Sequence, residues 1–231
     1  VSVERAATPT ITAFVFDMDG LMLDTEPIYR ASWQRAAAEL GWEITDHGYE
    51  VFLGRRTEDA EAELVRIFGP TFPIDRFHDR WPVLWHEIAA QGLPVKPGTH
   101  ELLALGEAHR LPLALATSTA RPLALRTLGY GGFDPARFQV IVTGDEIAHG
   151  KPAPDIYLEA ARRLGLAPAR CAAFEDSDAG TLSASRAGML TVQVPDMKPS
   201  SPAASAAAYR VLRSLNEAPA LLSPHLERRF P

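Results

Sequence analysis

The chain has 231 residues, with 29 acidic against 23 basic side chains and a formal charge of -6. Its 46% hydrophobic and 23% charged content is ordinary for a globular protein with room for one or two domains. No Lys/Arg run marks a nucleic-acid binder, no apolar run approaches a membrane span, the opening VSVERAATPT lacks a secretory layout, and the lone Cys171 excludes a disulfide framework.

The expectation is therefore a cytoplasmic monomer without a membrane or nucleic-acid partner, in which Cys171 is a small buried hydrophobe. In chain order, TAFVFD (12–17) reads as a buried strand. The segments 27–40, 43–52, 57–68 and 74–90 that follow have helical periodicity and no strand signal. All four tryptophans, Trp33, Trp42, Trp81 and Trp85, fall among them, as do 11 acidic and 7 basic residues between 27 and 93. Pro27 borders this stretch on one side and Gly92-Leu93-Pro94 on the other, as linkers would. It reads as a helical subdomain, 27–93, inserted into a core made of 10–26 and 94–231, with the tryptophans forming its interior.

Past residue 98 the pattern alternates. LPLALAT (111–117), FQVIVT (138–143), CAAFED (171–176) and LTVQV (190–194) read as strands. ARPLALRTLGY (120–130), PDIYLEAARRLG (154–165) and AGTLSASRAG (179–188) read as helices between them, and SSPAASAAA (200–208) as a late loop or short helix. Such alternation implies right-handed βαβ units and a parallel sheet, an α/β fold.

Ligands of an open parallel sheet bind beyond the carboxyl ends of its strands. Those ends carry Asp17, Asp19 and Gly20; Thr117, Ser118 and Thr119; Asp145, Glu146 and Lys151; and Glu175, Asp176 and Asp178. Each group alone is an ordinary turn or helix start. Gathered at one edge, the carboxylates would repel one another and need a cation, and oxygen ligands without a His or Cys cluster favour Mg²⁺ over Zn²⁺. Lys151, one of only three lysines, and the helix start near residue 120 offer an anion site. A carboxylate-held Mg²⁺ beside an anion site points to phosphoryl chemistry.

Phe16-Asp17-Met18-Asp19-Gly20-Leu21-Met22-Leu23-Asp24-Thr25-Glu26-Pro27 resembles the first motif of the haloacid dehalogenase superfamily. Thr117-Ser118 resembles its second, Gly150-Lys151-Pro152-Ala153-Pro154-Asp155 its third and Glu175-Asp176-Ser177-Asp178-Ala179-Gly180 its fourth, in matching order and spacing. The nearest likeness is to the beta-phosphoglucomutase-like branch, which implies a Rossmann-like doubly wound parallel sheet with an inserted all-helical cap. It also implies a Mg²⁺-dependent phosphatase acting on a small phosphorylated metabolite. In that resemblance Asp17 is the nucleophile, Asp19 the general acid and base, and Thr117, Ser118 and Lys151 hold the phosphoryl group. The metal takes Asp17, the Asp19 backbone carbonyl and Asp176, with Glu175 as direct or outer ligand.

The resemblance also frames the rival activities. Asp19, Glu175 and Asp176 disfavour carbon–halogen cleavage, whose enzymes lack the second Asp and the metal site. A sugar phosphomutase is the main alternative, and a non-catalytic binder of phosphorylated ligands a lesser one. In the mutases a cap histidine gates phosphoenzyme hydrolysis, and Tyr29 stands at that position here. Their phosphate-binding cap arginine is replaced by Thr57, which leaves Arg55 and Arg56 as candidate substrate contacts. The cap is expected to close over the core and exclude water. His149, near Lys151, reads as a solvated loop residue.

Overall fold

The computed structural model describes residues 10–53 and 57–226. The chain divides into two compact units, Asp24–Pro94 and the remainder. The Asp24–Pro94 unit is helical. Helix α1 (Glu26–Glu39) takes Pro27 in its first turn, where the missing N–H is no loss, and gives way at Leu40 to Gly41 with φ +83°. The continuous helical stretch expected over 43–52 is instead α2 (Asp46–Tyr49) and a single 3₁₀ turn, Glu50–Phe52. Thr45 explains the late start: it is extended, and its hydroxyl accepts the Gly48 N–H at 3.0 Å as an N-cap. Helices α3 (Thr57–Phe68) and α4 (Ile74–Ala89) complete the unit.

The interior of this unit is aromatic. Trp33, Tyr49, Phe52, Phe72 and Phe77 are buried together with Leu64 and Leu84, and Trp42 and Trp81 pack against them. The Trp33 ring meets Phe77 edge-on at 5.2 Å and Tyr49 at 6.2 Å, geometries that favour aromatic pairs. Charged groups lie around it: Arg80 bonds Glu39 at 2.5 and 3.0 Å, and the largely buried Glu61 accepts from the Trp81 indole at 2.9 Å.

The other unit is an α/β sandwich. Its sheet is built from β1 (Ala13–Phe16), β2 (Leu113–Thr117), β3 (Val140–Thr143), β4 (Cys171–Glu175), β5 (Leu190–Gln193) and β6 (Arg210–Val211). Among the described residues all neighbouring strands are parallel, in the order β3-β2-β1-β4-β5-β6. Helices α5 (Thr99–Ala108), α6 (Arg121–Tyr130), α7 (Asp155–Leu164), α8 (Asp178–Arg186), α9 (Pro202–Ala207) and α10 (Ala218–Leu222) accompany it. This is a Rossmann-like doubly wound sheet, and its strand order reverses between β1 and β4.

Alternation along the strands sorts the two faces. Ala13, Val15, Ala114, Ala116 and Ala173 line one face with Tyr157, Ala160 and Ala161 of α7. The interleaved Phe14, Phe16 and Phe174 form the other, with Phe16 stacked on Phe174 at 5.0 Å. Cys171 is buried, and burial pushes its thiol up to about 11. Leu23 and Val95 form an antiparallel bridge, and the Lys96 N–H donates to the Met22 carbonyl at 2.9 Å. No helix among the described residues is long and apolar enough to cross a membrane.

Candidate active site

Asp17 is the first residue beyond β1. Its N–H donates to the Phe174 carbonyl at 3.0 Å, continuing the parallel ladder past the strand end and fixing the side chain at the β1/β4 switch point. Lys151 arrives on the loop between β3 and α7. Helix α8 holds that loop, since Ser183 donates to the Ala153 carbonyl at 2.5 Å and Arg186 to the Pro152 carbonyl at 2.8 Å. The Lys151 ammonium reaches Asp17 Oδ1 at 2.5 Å, Glu175 Oε1 at 2.5 Å and the Ala116 carbonyl at 3.1 Å. These three acceptors match the three donors of an ammonium.

Glu175 ends β4 and is fully buried. Its Oε1 also accepts the Tyr157 hydroxyl at 2.5 Å, and its Oε2 accepts the Ser177 hydroxyl at 3.1 Å and N–H at 3.4 Å. A Cβ on Gly180 would overlap this carboxylate, so the first turn of α8 must carry glycine there. Asp176 comes next in the chain. A Cβ on Gly20, which has φ +80°, would overlap the Asp176 carboxylate, so that turn too is closed to other residues. Oxygen atoms of Asp17, Glu175 and Asp176 lie within 4.8 Å of one another.

Asp19 has different surroundings. Its Oδ2 accepts the Thr119 hydroxyl at 2.9 Å and the Thr117 hydroxyl at 3.4 Å, while Thr117 Oγ1 accepts the Thr119 N–H at 3.1 Å. The loop beyond β2 therefore orients Asp19, whereas Lys151 orients Asp17.

Burial dominates the electrostatics. It pushes Asp17 from 3.8 up to about 8, against the pull of Lys151 and with help from Glu175 and Asp19. Asp176 rises for the same reason, with Asp17 and Glu175 adding to it. Burial alone would lower Lys151, but Asp17 and Glu175 outweigh it and the ammonium is held above its ordinary value. Burial and the neighbouring Glu175 hold Tyr157 well above the usual phenol range, so its hydroxyl is a permanent donor. Three carboxylates around one ammonium carry more negative charge than that ammonium offsets, so their mutual repulsion adds to burial in raising Asp17 and Asp176. An oxygen-only set of this kind, with two glycines cleared to admit the carboxylates, fits a hard divalent cation.

Asp17, Asp19, Thr117, Lys151, Glu175 and Asp176 thus meet at one sheet edge. Ser118 lies beside Thr117, its carbonyl against Gly144, where a Cβ would overlap it. The helix start near residue 120 is less open than its sequence suggests. The Arg121 N–H donates to Asp145 at 3.1 Å and the Thr119 N–H to Thr117, so both amides are already used within the protein. Asp145 and Glu146 bond Thr143 and do not join the cluster, and Asp178 accepts from Gln193 and Ser201. His149 is exposed and bonds Asp155 at 2.9 Å. Arg55 and Arg56 lie outside the described residues.

Sequence reasoning passed over Tyr157 and Ser177 and gave Thr119 no role. Tyr157 has the spacing of an ordinary core position on α7. Ser177 carried a visible signal, the helix-start pattern Ser-Asp-Ala-Gly, but only as a cap.

Residues 11–188 match the model of the haloacid dehalogenase-like hydrolases. The chain is 36% identical over 212 residues to protein CbbY of Rhodobacter capsulatus, a match covering 87% of this chain and 92% of that one. It is 31% identical over 210 residues to the phosphorylated carbohydrates phosphatase of Thermotoga maritima, covering 91% of this chain and 89% of the other. Among solved structures, a "putative beta-phosphoglucomutase" from Thermotoga maritima superposes with a TM-score of 0.82 at 30% identity, covering 93% of this chain and 99% of that one.

Proposed function

The chain belongs to the haloacid dehalogenase-like hydrolases, and from that premise we propose that it is a Mg²⁺-dependent phosphatase of a sugar phosphate or similar small monoester, working through an aspartyl phosphate. The observation that carries this reading is the contrast between two carboxylates on one turn. Asp17 is buried against Lys151, and Asp19 is held by the Thr117 and Thr119 hydroxyls. Carboxylates in different surroundings can divide the work of nucleophile and acid.

Asp17 attacks the phosphorus with a carboxylate oxygen, and the bond from phosphorus to the ester oxygen breaks. Asp19 gives its proton to the departing alkoxide. Asp19, now a carboxylate, takes a proton from water, whose oxygen attacks the phosphorus and releases phosphate and free Asp17. Lys151, Thr117 and the Ser118 backbone N–H hold the phosphoryl oxygens through both steps. When bound by Asp17, Asp176 and the Asp19 carbonyl, with Glu175 beside them, Mg²⁺ offsets the carboxylate charge and that of the phosphoryl group.

The test is phosphate release from a panel of sugar phosphates, phosphoglycolate and nucleoside monophosphates, with Mg²⁺ and with EDTA. Release that requires Mg²⁺ is expected from at least one sugar phosphate. Activity that persists in EDTA, or none across the panel, defeats the reading.

A mutase is favoured by one observation, the name of the Thermotoga maritima structural neighbour. Against it, Tyr29 packs its ring on Trp81 and Trp85 at 6.0 and 5.5 Å and has no imidazole with which to gate hydrolysis. Incubation of a hexose 1-phosphate with a trace of the bisphosphate separates the two. Free phosphate supports hydrolysis, and hexose 6-phosphate without free phosphate supports the mutase.

A further inference from the structure

Tyr157 is fully buried on α7, among alanines, and none of the four strand-end motifs contains it. A ring in that place needs no hydroxyl to fill space, yet the hydroxyl donates to Glu175 Oε1, the oxygen that also binds Lys151. The ring itself lies 5.3 Å from the Lys151 ammonium. Ser177 occupies the other Glu175 oxygen, so the carboxylate is held at both ends.

This matters because all the donors of Lys151 are in use. To bind a phosphoryl oxygen, the ammonium must release one of Asp17, Glu175 or the Ala116 carbonyl. Asp17 is the partner whose carboxylate is consumed when it becomes an acyl phosphate. Glu175 must then stay fixed, neither following the ammonium nor drawing it inward.

We propose that Tyr157 is a positioning residue for phosphoryl transfer: its hydroxyl pins Glu175 as the fixed anchor on which Lys151 turns from Asp17 to the phosphoryl group. Without the hydroxyl, Oε1 has Lys151 as its remaining strong partner and competes with the phosphoryl oxygens for it. The inference rests on the phosphatase reading for its kinetic part but not for its binding part.

Tyr157→Phe keeps the ring over Lys151 and removes the hydroxyl alone. With the best monoester of the panel and saturating Mg²⁺, kcat is expected to fall roughly tenfold while KM stays within about twofold, as for a contact that counts mainly in the transition state. Vanadate binding with Mg²⁺, measured by calorimetry, should weaken by about the same factor, and inorganic phosphate binding by less than about twofold. A residue that only fills the core leaves kcat and vanadate affinity at wild-type values, and that result overturns the proposal. Equal losses of vanadate and phosphate affinity overturn it too.

If the wild-type protein hydrolyses none of the panel, the phosphatase reading fails and the vanadate comparison still decides the role of Tyr157. Incorporation of 4-aminophenylalanine at position 157 retains a weaker donor, and values between those of tyrosine and phenylalanine are expected. If the Phe variant does not melt cooperatively, this variant decides alone: wild-type vanadate affinity overturns the proposal and an intermediate loss supports it.

Discussion

The two units fill their interiors in opposite ways. The helical unit, Asp24–Pro94, buries large rings such as Trp33, Phe72 and Phe77 and keeps its ion pairs at the surface, where Arg80 meets Glu39. The α/β unit packs alanines on one face of its sheet, and both of the buried carboxylates found among the described residues, Asp17 and Glu175, belong to it. Small side chains let α7 lie close to the strands, and this closeness brings Tyr157 and the Lys151 loop to Glu175. One interior is made for cohesion. The other gives up some cohesion to hold charges in fixed places.

Substitutions can sharpen this contrast. The largest effect is expected from Asp17→Asn, which should lower turnover at least roughly a thousandfold while leaving a cooperative melt, because the lost carboxylate serves chemistry more than folding. Phosphate release and circular dichroism on one preparation check both halves. Lys151→Met leaves Asp17 and Glu175 without their shared cation, and should cost about 3–5 kcal/mol in denaturant unfolding, a loss that varies with pH because it comes from buried charge. Trp33→Ala should cost a similar amount, about 3–5 kcal/mol, but with little pH dependence, because it opens a cavity in an aromatic cluster. If the two variants had the same pH profile, the contrast between the interiors would be lost.

A smaller effect concerns metal-free protein. Asp17 binds its proton more tightly folded than unfolded, up to about 8 against 3.8, so the folded state holds the extra proton between those values. Stability should therefore fall as pH rises from about 4 to about 8, and Asp176 acts in the same direction. Mg²⁺ competes with that proton, so it should raise the melting temperature more at pH 8 than at pH 5. A rise that is equal at both would contradict the charge balance described for the site. The smallest effect is expected from Arg80→Ala in the surface network, a melting temperature unchanged within about 2 °C.

Much of this arrangement can be read in the residues themselves. The core strands are short apolar runs between helices, α6 and α7 with proline at the start and glycine at the end, and Asp17, Thr117, Lys151 and Glu175 follow from a rule about where strands end. What escaped has physical reasons. The stretch 43–52 has helical periodicity, but Thr45 starts its helix late and Gly48 weakens it. β6 has only two residues, both exposed, and so carries no apolar run. The helix start near residue 120 has the look of an anion site because sequence cannot reveal that Asp145 already takes the Arg121 N–H. Tyr157 was hidden because a core tyrosine and a positioning tyrosine look alike until the partner of the hydroxyl is known.

The antiparallel bridge between Leu23 and Val95 also bears on how such a protein can change over time. Within the α/β unit the chain leaves and returns at adjacent points, as it does at the ends of a β-hairpin. A short turn could join those two residues with no change to the sheet, and so could an insert of any other length or shape. The α/β unit is therefore modular at this doorway: segments can be exchanged there without moving a strand.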